Sequence, residues 1–71
     1  MVNPQMEINP IESVRIERGV TVTRLADRTG VSPVTLQHHP EELTLAEISA
    51  VASELETDAI ELLRPILARA A

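Results

Sequence analysis

The stretch that decides the fold is Val20–Leu36, VTVTRLADRTGVSPVTL. Two helices cross closely only where the first carries a small residue, and Ala26 is such a residue. The turn between them needs a residue that tolerates a positive φ, and Gly30 does so. Val31 then offers an apolar contact, and Ser32 offers an N-cap for the second helix. The spacing therefore predicts two short helices joined by a sharp turn.

One further helix is predicted on the N-terminal side of this pair. Asn9 is its N-cap, and Gly19 is placed to end it in the left-handed conformation. Residues 1–8 contain Pro4 and show no periodicity, so we expect a flexible arm there. The sequence thus divides into this arm and a single helical domain over residues 9–71.

Two helices are predicted on the C-terminal side. Thr44 and Glu47 have the spacing of a capping box, and an apolar stripe with a helical period follows them: Leu45, Ile48, Val51, Ala52 and Leu55. Asp58 opens a fifth helix. Pro65 either kinks that helix or begins a short sixth helix, Ile66 to Ala70. Because no segment alternates like a strand, the sequence predicts an all-α fold of five helices, with the sixth left open.

Composition limits the classes of function. The 71 residues allow one small domain, and its core must be aliphatic because the chain has no aromatic residue. The absence of cysteine excludes disulfides, thiolate metal sites and cysteine nucleophiles. No apolar run approaches the length of a membrane span, and residues 1–5 do not read as a signal peptide, so we expect a cytoplasmic protein. No catalytic constellation or phosphate loop is evident, and neither an enzyme nor a cofactor is predicted.

The charge is distributed unevenly along the chain. The formal net charge is −5, and all six basic residues are arginine. Residues 1–40 carry four arginines and four acidic residues, whereas residues 41–71 carry two arginines and seven acidic residues. The acidic excess therefore lies entirely in the C-terminal part. The overall charge does not exclude a phosphate contact made by the neutral N-terminal part.

The pattern Leu25-Ala26, Gly30-Val31-Ser32 and Thr35-Leu36 resembles the helix-turn-helix domain of Cro and phage repressors, also called the xenobiotic-response-element family. The resemblance covers residues 11–63 approximately. It implies a five-helix, lambda-repressor-like DNA-binding domain with double-stranded DNA as its partner. The implied function is a small transcription regulator of phage or mobile-element type, such as a repressor.

The resemblance also implies which side chains meet DNA. The family reads bases from the start of its second motif helix in the major groove, and the matching positions are Pro33, Val34, Gln37 and His38. The residues expected to contact phosphates are Thr21, Arg24, Arg28, Ser32 and Thr35.

Two positions depart from the family pattern. Val22 stands where the family often has a glutamine that touches phosphate. Glu41 and Glu42 follow the recognition helix where basic residues often occur. An alternative therefore stays open, in which the fold is kept as a protein-interaction module that binds a host or cognate protein and has lost DNA binding.

Two other groups of residues have more than one interpretation. His38 and His39 precede Glu41 and Glu42, but adjacent histidines on a helix point about 100° apart, so no metal site is predicted. A second group forms either a dimer interface or part of the core, or both: Ile60, Leu63, Ile66 and Leu67. A homodimer suits a palindromic operator, because its two half-sites lie one helical turn apart.

Overall fold

The computed structural model describes residues 9–70, and most of these residues are helical. The five α-helices are α1 (Pro10–Arg18), α2 (Val22–Thr29), α3 (Pro33–His38), α4 (Leu45–Leu55) and α5 (Ala59–Ala70), with a short 3₁₀ turn at Pro40–Glu42 between α3 and α4. No strand occurs over this range. The predicted all-α, five-helix class is confirmed. The predicted arm, residues 1–8, lies outside the described residues.

The helices begin where the cap residues predict. The side chains of Asn9, Thr21, Ser32 and Thr44 each accept a hydrogen bond from a backbone N–H in the first turn of the following helix. Thr44 and Glu47 bond each other's backbone N–H, which completes the capping box. These contacts satisfy donors that a helix start otherwise leaves without a partner.

Helix ends depend on left-handed residues. Gly30 ends α2 with φ 77°, and its N–H donates to the carbonyl of Ala26. Gly19 ends α1 in the same conformation, as predicted. Helix α4 ends at Glu56 with φ 57°, although a side chain makes this conformation unfavourable. The sequence offers no glycine at this end of α4.

The core is aliphatic and draws on every helix. Its fully or nearly fully buried members are Ile11, Leu25, Val31, Leu36, Leu43, Ile48, Val51, Ala52, Leu55, Leu62 and Ile66. Four of the five residues of the apolar stripe predicted for α4 are among them. The fifth, Leu45, is the first residue of α4 and is 68% exposed.

Helix α5 continues through Pro65 and does not break into a sixth helix. Pro65 is exposed, so water can reach the carbonyl that loses its helical partner there. Beside it, Ile66 is 4% exposed and belongs to the core. Its assignment to the dimer interface is therefore corrected, since a side chain already buried in one chain offers little area to a second.

Asn9 links the beginning of α1 to the end of α3. Its Oδ1 accepts from the N–H of Ile11 at 2.8 Å, while its Nδ2 donates to the carbonyls of Leu36 and Gln37 at 2.6 and 3.1 Å. The side chain is buried, and the last carbonyls of a short helix have no helical partner of their own. One amide therefore caps two helices, although its acceptors in α3 lie 27 and 28 residues from Asn9 in sequence.

Two substitutions of Asn9 distinguish its role as the N-cap of α1 from its contact with the end of α3. Asn9→Ala removes the cap and leaves two carbonyls without their donor, and we expect it to lower the free energy of unfolding by about 2–3 kcal/mol. Asn9→Ser keeps a cap oxygen and loses only the donor, so its loss should be about half as large. Urea denaturation measures both changes. An Asn9→Ser variant as stable as the unaltered chain would show that the contact to α3 contributes nothing.

Candidate nucleic-acid interface

Helices α2 and α3 form a helix-turn-helix arrangement with a three-residue turn, Gly30–Ser32. The Thr29 hydroxyl donates to the carbonyl of Leu25 at 2.7 Å and accepts from the N–H of Val31 at 3.3 Å, which ties the turn to α2. The side chains of Val31 and Leu36 are buried. One side of α3 is thereby fixed in the core, and its opposite side faces outward.

The four predicted base-reading residues lie on that outward side. Pro33, Val34 and His38 are exposed, and Gln37 is half-buried. Val34 is 57% exposed, which is a large apolar area for a small domain to leave in water. Positions 33 and 37 are four residues apart, as are positions 34 and 38, so the four side chains form two neighbouring rows on one side of α3. The structure therefore brings the whole predicted set together.

Three of the predicted phosphate-contacting residues carry hydroxyl groups. Thr21 and Ser32 are exposed at the starts of α2 and α3, where their oxygens accept from backbone N–H groups at 3.1 and 3.2 Å. A hydroxyl that accepts one hydrogen bond still has a proton to donate. Thr35 is half-buried. Thr21 and Ser32 are thus available to an anion, and Thr35 is less so.

The two predicted phosphate-contacting arginines lie elsewhere. Arg24 Nε is 3.6 Å from Glu54 Oε2, and Arg28 Nε is 3.4 Å from the same oxygen. Glu54 belongs to α4 and is largely buried between them. Both arginines therefore lie on the flank of α2 that faces α4, and the structure does not bring them to the start of α3.

The flank of α2 that adjoins α3 carries an acidic residue. Thr23, Ala26 and Asp27 line an open groove together with Gly30–Pro33. Successive helical residues are about 100° apart, so Thr23 and Asp27 lie about 100° round the helix from the two arginines. Sequence reasoning missed Asp27, although helical spacing from the buried Leu25 would have placed it there.

The other end of α3 is also acidic. Glu41 and Glu42 are exposed in the 3₁₀ turn, which is anchored by the buried Pro40. Residues 29–63 contain neither lysine nor arginine, so α3, this turn and α4 supply no permanent cation. Carboxylates therefore lie at both ends of the predicted recognition helix.

The two histidines do not share a helix, since His38 ends α3 and His39 is its C-cap. Their ring centroids are 6.4 Å apart, with the ring planes inclined at 62° in an edge-on arrangement. His39 instead lies beside the acidic turn, with Nδ1 3.7 Å from Glu41 Oε2. Ligand atoms of His39, Glu41 and Glu42 all lie within 4.8 Å of one another. No metal site was predicted from these three residues and His38, because the grouping was judged by the two histidines alone.

The predicted dimer interface divides into two kinds of residue. Ile60 and Leu67 are 51% and 58% exposed, and Leu63 is half-buried between them and the core. Positions 60, 63 and 67 follow one face of α5. Without Ile66, three of the four predicted residues remain as an apolar stripe, which we call the α5 stripe.

Searches against protein-family models, curated proteins and solved structures find no match to this chain. Within residues 9–70, no helix is both long and apolar enough to cross a membrane.

Proposed function

We propose that the chain is a small sequence-specific DNA-binding transcription regulator, of the Cro and phage-repressor type, that acts in the cytoplasm by occluding a promoter. The observation that carries the proposal is the placement of α3. Its inner side is fixed by Leu36 in the core, and its outer side presents Pro33, Val34, Gln37 and His38. A rigid helix with an exposed first turn is what major-groove reading requires.

The chemistry of this face suits bases. The Val34 side chain matches the methyl group of thymine, and the Gln37 amide can bond both N6 and N7 of adenine. His38 has a ring N–H that can donate to a guanine edge or to a phosphate. Pro33 adds apolar contact only. Sequence choice would depend mainly on Gln37, because a bidentate contact discriminates by about 1–3 kcal/mol.

Phosphate contacts would come from neutral donors. The hydroxyls of Thr21 and Ser32 are exposed, and the backbone N–H groups at the start of the eight-residue α2 lie beside Thr21. Such groups fix the register of a protein on the duplex without reading its sequence. The domain would therefore dock through hydrogen bonds more than through ion pairs.

Selection of bound sequences from random duplex DNA, at a stated low salt concentration, tests the proposal. The unaltered chain should select a short motif. Gln37→Ala should bind more weakly to that motif, by about 10-fold or more, and should accept other bases at the position where adenine is preferred. Ser13→Ala changes an exposed residue of α1, and this control should select the same motif as the unaltered chain. Selection of no motif by the unaltered chain would end the proposal.

The position of the arginines sets the expected salt dependence. Each phosphate paired with a cation contributes about −0.9 to the slope of log K against log salt. Because Arg24 and Arg28 contact Glu54, we expect the Arg24→Ala, Arg28→Ala double variant to change that slope by less than about 1. A titration of operator DNA from low to moderate salt measures it. A change near 2 would instead show that both side chains leave Glu54 and reach phosphates.

We further propose that the regulator is a homodimer on a palindromic operator, joined through the α5 stripe, Ile60, Leu63 and Leu67. Each chain alone leaves Ile60 and Leu67 more than half exposed. Glu61 and Arg64 are exposed beside the stripe and give it a polar rim. Two linked half-site contacts would also strengthen binding beyond one weak contact.

A charged side chain in the α5 stripe should dissociate the homodimer into single chains. Leu67→Glu should shift the sedimentation of the protein to that of a single chain and should weaken operator binding. Ile16→Glu is the matched control, because Ile16 is an equally exposed apolar residue on α1. Ile16→Glu should leave both measurements unchanged. A protein that sediments as one chain at every concentration, or equal dissociation by both variants, would refute this interface.

A second candidate function is a protein-interaction module. The observation that favours it is the charge around α3, where Asp27, Glu41 and Glu42 are exposed. Three carboxylates and the apolar Val34 would suit a basic surface of a host or cognate protein. Selection of a motif from random duplex DNA, and loss of that preference in Gln37→Ala, favours the DNA-binding regulator. Binding to no duplex sequence favours the interaction module.

A further inference from the structure

The grouping beside α3 combines two kinds of metal ligand. One ligand atom comes from each of His39, Glu41 and Glu42, and these three atoms lie within 4.8 Å of one another. The His39 Nδ1 to Glu41 Oε2 distance of 3.7 Å is too long for a hydrogen bond. No hydrogen bond therefore commits this imidazole nitrogen to the neighbouring carboxylate.

We propose that His39, Glu41 and Glu42 bind one divalent transition-metal ion of the Zn²⁺ type. Imidazole nitrogen with carboxylate oxygen suits zinc, copper and nickel, whereas magnesium and calcium prefer oxygen alone. Three protein ligands leave a coordination position for water, so the site is of the open kind. The wider set of described residues contains no other such group of three histidine or acidic side chains.

The distances require only side-chain adjustment. Zinc bonds of about 2.0–2.1 Å in a tetrahedral site place neighbouring ligand atoms roughly 3.4 Å apart. All three side chains are exposed, so rotations about their own bonds can close the remaining distance. Their backbone is already fixed, since the N–H groups of Glu42 and Leu43 donate to the carbonyls of His39 and Pro40 at 3.0 and 3.2 Å.

Metal binding would remove the charge at this end of α3. Glu41 and Glu42 together carry −2, which one divalent ion neutralises. A phosphate strand beside α3 would then meet no net negative charge from the turn. This consequence depends on the proposed DNA-binding function, whereas the metal site itself does not.

Titration of zinc chloride into the full, tag-free chain tests the site without DNA. Calorimetry should give one ion per chain, and amide resonances of residues 38–43 should shift most. His39→Ala should weaken binding at least about tenfold, because loss of a supporting group alone costs that much. His38→Ala is the matched control and should bind as the unaltered chain does. Magnesium should produce no saturable shift.

Two results would overturn the metal site. One is the absence of saturable zinc binding, and the other is equal binding by the unaltered chain and His39→Ala. The effect of zinc on DNA binding is measured in a separate experiment. Zinc should raise the affinity of the unaltered chain for its selected motif, while the Glu41→Gln, Glu42→Gln variant should bind the motif more tightly and without regard to zinc. Zinc binding without any DNA motif would leave the metal site standing and would refute only the DNA function.

Discussion

The Asn9 side chain is the contact on which the placement of α3 depends. Helix α3 has six residues, too few to be stable by its own hydrogen bonds. It is held at its start by Ser32, on its inner side by Leu36, and at its end by the amide of Asn9. Because the donor is the N-cap residue of α1, this helix fixes the orientation of α3, which presents Val34 and Gln37 to solvent.

Local signals in the sequence predicted the helix boundaries well. They could not predict contacts between residues that are far apart in the sequence. An N-cap is read from one residue and its next three neighbours, so Thr44 and Glu47 could be assigned with no knowledge of the fold. The contact of Asn9 with the end of α3 could not be predicted in this way, because its acceptors lie 27 and 28 residues away. Leu45 shows the same limit, because it fits the helical period of the stripe but is 68% exposed.

The position of the candidate site could be predicted from the sequence, but the charges that surround it could not. Pro33, Val34, Gln37 and His38 follow from helical spacing once α3 is known to begin at Ser32. The partners of Arg24 and Arg28 required the packing of α4, since Glu54 is more than 25 residues from either arginine. The Ile66 assignment failed for a related reason. The apolar pattern of α5 has no marker that separates residues facing the chain's own core from residues facing outward.

The charge around α3 acts differently on the two modes of DNA binding under the proposed function. Non-specific binding depends almost wholly on cations that meet phosphates, and α3 with its neighbouring turn has none. Base contacts by Val34 and Gln37 depend on shape and hydrogen bonds, so Asp27, Glu41 and Glu42 weaken them less. The acidic surroundings thus lower affinity for random DNA more than they lower the preference for one sequence. Because single-site affinity also falls, occupancy would then depend on two chains binding together, which gives the exposed α5 stripe a functional reason to remain apolar.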